Sequence, residues 1–110
     1  MKILRRNLSE EIVKIHKERI DLPGATIPFF KYREDGLTYF EFNTVRSDPP
    51  IPMVNAIRGL ELLIEYSDRL VMYNMQEPIG LYPKISDKFE WDVVVLENSD
   101  VQIVFRRKIE

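Results

Sequence analysis

Asp48-Pro49-Pro50-Ile51-Pro52-Met53 divides the chain into a strand-forming part and a helix. Three prolines in four positions cannot continue a strand ladder. A proline in the first turn of a helix loses only an N–H that has no partner there. Asp48 belongs to the residue types that cap a helix N-terminus. Downstream, Met53, Ala56/Ile57, Leu60 and Leu63/Ile64 recur at helical spacing and mark one buried face, which Ser67-Asp68 closes. Upstream lie two strand-like runs, Ala25–Tyr32 and Leu37–Thr44, joined by Arg33-Glu34-Asp35-Gly36. A short connector ending in Asp-Gly between such runs signals a hairpin. Six of the twelve aromatic residues fall in this stretch, where cross-strand packing accounts for them.

After the helix, Arg69–Met75 reads as a strand whose continuous Leu70-Val71-Met72 run suits burial on both faces or parallel pairing with its predecessor. Gln76-Glu77-Pro78 then leads into a second helix over Ile79–Lys88. Phe89–Leu96 and Val101–Arg107 form another hairpin across Glu97-Asn98-Ser99-Asp100. From Leu37 onward the order is β-α-β-α-β-β. With right-handed crossovers this gives an α+β fold, a two-layer α/β sandwich with a mixed sheet of about five strands and both helices on one face. Before it, Asn7 or Ser9 caps a helix over Leu8–Ile20 with an apolar stripe of Leu8, Ile12, Ile15 and Ile20. Leu22-Pro23-Gly24 stops that helix. One domain is expected over 1–110, in which residues 1–36 add an N-terminal helix and a strand to a core over 37–108.

The charge is uneven. Residues 1–20 carry six basic and three acidic side chains, residues 21–105 seven basic and fourteen acidic, and the last five residues three basic and one acidic. An acidic body argues against nucleic-acid binding, which needs a basic stripe over the folded surface. Cysteine is absent, which excludes disulfides, thiolate metal sites and a cysteine nucleophile and fits a reducing cytoplasm. No apolar run approaches the ~20 residues that span a membrane, and MKILRRNLSEE lacks the h-region of a signal peptide. A cytoplasmic protein without a membrane partner is expected.

Three pieces follow one another along the chain: Pro49-Pro50-Ile51-Pro52-Met53, Glu77-Pro78-Ile79-Gly80-Leu81-Tyr82-Pro83 and Phe89-Glu90-Trp91. Together they resemble the SirA/TusA-like superfamily of small two-layer domains, in particular its cysteine-less branch of unknown function with PPxPM and EPxxLYP motifs. The resemblance covers residues 37–108. Pro50 and Pro52 match the two prolines of the CPxP turn of the sulfurtransferase members. Pro49 stands where their sulfur-carrying cysteine would be, and Arg46-Ser47 replaces their Gly-Leu pair. A proline offers no nucleophile, so the sulfur relay of those members is excluded. The resemblance implies the two-layer fold and a setting beside respiratory, nitrogen-oxide or metal-handling proteins, without implying an activity.

In an open sheet with βαβ units, the carboxyl ends of the strands and the helix N-termini form the ligand crevice. Here that crevice gathers Arg46, Ser47, Pro49, Pro50, Asn74, Glu77 and Tyr82 as candidate ligand or partner residues. The prolines remove N–H donors that would cradle a phosphate. Leu81 and Tyr82 read as helix packing residues and Trp91 as sheet core. His16 is the single histidine, on a surface position without a ligand-like spacing, so no metal is expected. No G-x-S-x-G elbow, GxGxxG or GxxxxGK[ST] loop occurs among only four glycines, so neither catalytic residues nor a cofactor are expected. The leading reading is a non-catalytic binding or interaction module for a protein or small molecule. The alternatives are an orphan enzyme or small-ligand domain using Arg46, Glu77 and Tyr82, and an RNA-binding module that the acidic body disfavours. A two-fold homodimer is expected through the aromatic hairpin around Phe30, with Pro28 blunting the edge of its first strand.

Overall fold

Alternation along the strands puts one row of apolar side chains on a single side of the sheet, and the helices are anchored there. The computed structural model describes residues 15–109. Its elements are β1 (Glu18–Ile20), β2 (Phe29–Glu34), β3 (Leu37–Asn43), α1 (Ile51–Leu60), β4 (Asp68–Asn74), α2 (Tyr82–Ile85), β5 (Phe89–Val95) and β6 (Val101–Arg107). The strands form one mixed sheet in the order β1-β2-β3-β4-β6-β5. β3 and β4 run parallel, with Phe40 beside Leu70 and Phe42 beside Met72, while the remaining neighbours are antiparallel. The α+β class and the β-α-β-α-β-β order from Leu37 are those read from the sequence.

The register carries Phe40 and Phe42 of β3, Leu70 and Met72 of β4, and Ile103 and Phe105 of β6 onto one face. Ala56 and Leu60 of α1, Leu81 before α2 and Ile85 within it share a core cluster with them. Phe29 extends that cluster from β2, stacked on Phe42 at 4.8 Å between ring centroids. The opposite face carries Tyr32 stacked on Tyr39 at 5.0 Å. The Lys17 ammonium lies over the Tyr32 ring and bonds Glu41 at 3.2 Å. No helix of the described residues is long and apolar enough to cross a membrane.

Several expectations are corrected. Among the described residues the sheet has six strands rather than about five, because Glu18–Ile20, expected at the end of a Leu8–Ile20 helix, is a strand. Arg19 pairs with Phe30 and Ile20 with Phe29, so long-range pairing prevails over local helical spacing. Residues 8–14 of that expected helix lie outside the described residues. β2 begins at Phe29 instead of Ala25, after Pro28, which has no N–H to give a ladder. The hairpin turn is the two residues Asp35 and Gly36, both at positive φ (53° and 81°), the geometry of a type I′ turn.

The first helix ends at Leu60, and Leu63 follows in a turn. Its N-cap is Pro50, without a side-chain cap, and Asp48 contributes its backbone carbonyl to the Ile51 N–H at 2.9 Å. Asp68 opens β4, and its carboxylate accepts the Ile64 and Glu65 N–H groups at 3.0 and 2.9 Å. The second helix spans four residues rather than Ile79–Lys88, since Pro78, Gly80 and Pro83 leave too few donors and too much backbone freedom for more turns. β2 lies between β1 and β3, with Phe29, Phe30 and Lys31 paired to β1.

Candidate functional site

Parallel pairing brings the carboxyl ends of β3 and β4 side by side, and a polar knot ties them. The Thr44 N–H donates to the Tyr73 carbonyl at 2.8 Å. The buried Thr44 hydroxyl lies 2.8 Å from that same carbonyl and 2.9 Å from Asn74 Oδ1. Asn74 Nδ2 in turn donates to the Gln76 carbonyl at 2.8 Å. The chain leaves Thr44 through a tight turn in which Ser47 N–H donates to the Thr44 carbonyl at 2.9 Å and Arg46 sits at φ 75°. It then enters α1 through a cis Pro49–Pro50 peptide.

Between these strand ends and the starts of both helices opens a crevice of about 370 Å³. Pro49, Pro50, Pro52 and Met53 form one wall. Asn74, Gln76, Glu77, Pro78, Ile79 and Gly80 form the other. Glu77 is its one charged lining residue among the described residues. The α1 N-terminus adds little attraction for an anion, since Pro50 and Pro52 have no N–H and that of Ile51 is already bonded. The lining therefore favours apolar groups that carry an N–H donor or a positive charge.

A second depression, about 420 Å³, lies across the 75–79 segment, between Ile79 and Val95. The segment is a ridge between two hollows and exposes Met75 (55%) and Ile79 (73%).

Of the seven residues singled out in the sequence, Pro49, Pro50, Asn74 and Glu77 line the crevice. Arg46 and Ser47 belong to the turn that leads to it and do not line it. Tyr82 stands behind Glu77: its hydroxyl donates to Glu77 Oε1 at 2.9 Å, and its ring stacks on Trp91 at 4.4 Å between centroids. Burial, and next the Glu77 carboxylate, push the Tyr82 phenol well above the ordinary tyrosine range. It holds its proton and acts as a donor.

Sequence reasoning missed Pro52, Met53, Gln76, Pro78, Ile79 and Gly80 as lining residues. The signal was present in the exposed apolar residue after Glu77-Pro78, but the expected helix over Ile79–Lys88 absorbed it. Leu81 is fully buried as read, and Trp91 packs partly buried against the core, tilted on Phe105 at 6.1 Å. His16 is exposed, and no three acidic or histidine side chains gather among the described residues. No family model, curated protein or solved structure matches the chain.

Proposed function

We propose that this chain is a non-catalytic binding module, a cysteine-less relative of the SirA/TusA-like domains acting in the cytoplasm. In this reading its strand-end crevice takes an apolar protein segment bearing a lysine or arginine. One observation carries it: the crevice is walled by Pro49, Pro50, Pro52, Met53 and Ile79 and holds a single carboxylate, Glu77, oriented by Tyr82. Apolar surface supplies the driving force on burial, and a lone oriented charge selects the sign of the partner. The open, shallow form of the crevice suits an extended peptide better than an enclosed substrate. Selection of peptides from a displayed random library on the immobilised full chain tests this. Sequences that join apolar residues to a lysine or arginine support the reading, while enrichment of acidic sequences, or of none, counts against it.

A further inference from the structure

The sheet ends in two unlike edges. β1 offers three residues, whereas β5 offers seven, Phe89–Val95, without proline, glycine or lysine and, among the described residues, with no strand on the side away from β6. A long strand edge that no proline, bulge or covering element blocks is a template for another strand.

The direction of its free groups follows from the β5–β6 register. Lys108 N–H donates to the Lys88 carbonyl at 2.9 Å and Leu96 N–H to the Asp100 carbonyl at 2.8 Å, two pairs that continue the strand register. The even-numbered residues of β5 are thus spent on β6. The N–H and C=O groups of Phe89, Trp91, Val93 and Val95 point outward.

We propose that β5 pairs antiparallel with β5 of a second copy across a two-fold axis at Val93, joining two six-stranded sheets into one. The strand is its own complement in this register. Val93 faces the partner's Val93, Trp91 faces the partner's Val95, and Asp92 faces the partner's Val94. Centring the axis on Asp92 instead would set two carboxylates directly opposite each other, a destabilising pair. Arg106 offsets one of the two negative charges on each edge, bonding both Glu90 (2.9 Å) and Asp92 (2.8 Å). The pairing covers Val95, 70% exposed in the single chain, and Val94, 49% exposed. A two-fold contact closes at the dimer and leaves only the short β1 edges outside.

Light scattering on the full chain across a concentration series, with Val93→Pro beside it, reads this directly. The wild type should rise from 13.1 kDa to about twice that mass, since one self-complementary surface closes at two copies. Val93→Pro should stay at the monomer mass with unchanged circular dichroism, because the Val93 N–H serves only the free edge. As a second probe, Asp92→Cys combined with Val94→Cys in this cysteine-free chain should give a reducible covalent dimer on mild oxidation. The two positions would meet as a non-hydrogen-bonded pair about 4.5 Å apart at Cα, within disulfide reach. A wild type that stays monomeric, species that grow beyond the dimer, or a double-cysteine variant that forms no covalent dimer would each overturn the proposal. If Val93→Pro fails to fold, the cross-link decides alone.

Discussion

Tyr82 donates its phenolic hydroxyl to the Glu77 carboxylate across 2.9 Å. Through that bond the one charge of the crevice is fixed to the body of the fold, because the Tyr82 ring lies on Trp91 of β5. The two functions of the side chain separate by substitution. Tyr82→Phe removes a half-exposed hydrogen bond and should cost less than about 1 kcal/mol. Tyr82→Ala also removes the stack and its buried area and should cost about 2 kcal/mol. Urea unfolding of the two variants checks the difference.

The phenols provide a pH signature. Tyr32, by burial and then by the nearby Glu41 carboxylate, and Tyr82, by burial and then by Glu77, are both raised above the ordinary tyrosine value. A raised folded value means that the folded state keeps its proton longer, so the associated stability is intact below the unfolded value of about 10 and is lost as pH climbs past it. Absorbance titration should show a late-ionising component from Tyr32 and Tyr82, with unfolding at alkaline pH. Tyr32→Phe combined with Tyr82→Phe should remove the late component.

Gly59 packs α1 tightly against the sheet. A Cβ there would meet Leu70 Cδ1 at 2.7 Å and Phe29 Cε2 at 3.0 Å, both on buried side chains with no room to turn away. Alanine normally favours a helix over glycine by about 1 kcal/mol. Overpacking opposes this with roughly 1–3 kcal/mol. Gly59→Ala should therefore destabilise the protein, and a thermal melt that rises would show that α1 can lift from β4.

Asn55 latches the loop before β2 to α1. Its Nδ2 donates to Thr26 Oγ1 at 2.8 Å and to the Ile51 carbonyl at 2.9 Å, while its Oδ1 accepts the Thr26 N–H at 2.9 Å. Asn55→Ala strands these partners around a fully buried position, at a cost of about 2–3 kcal/mol by chemical denaturation. Thr26→Ala keeps the backbone bond and should cost less.

Legibility in the sequence followed the range of the determining contact. The Asp35-Gly36 turn, the Pro50/Pro52 helix start and the Leu70-Val71-Met72 strand are written in neighbouring residues, and their elements appear there with shifted bounds. The Thr26–Asn55 latch and the Thr44–Asn74 knot join residues 29 and 30 positions apart and leave no local pattern. β1 is a strand only because Phe29 and Phe30 stand beside it. The crevice was half legible: Pro49, Pro50, Asn74 and Glu77 follow from the strand-end rule. Ile79 required knowing that the second helix begins only at Tyr82.

Charge reversal at Glu77 tests the binding reading most directly. A lysine-bearing peptide selected on the wild type would be titrated calorimetrically into the full wild-type chain and into Glu77→Lys. Recognition through the crevice carboxylate requires the affinity to fall about tenfold or more, near 1.4 kcal/mol, and to recover when the peptide lysine is replaced by glutamate. Equal affinity of the lysine-bearing peptide for both chains would contradict it.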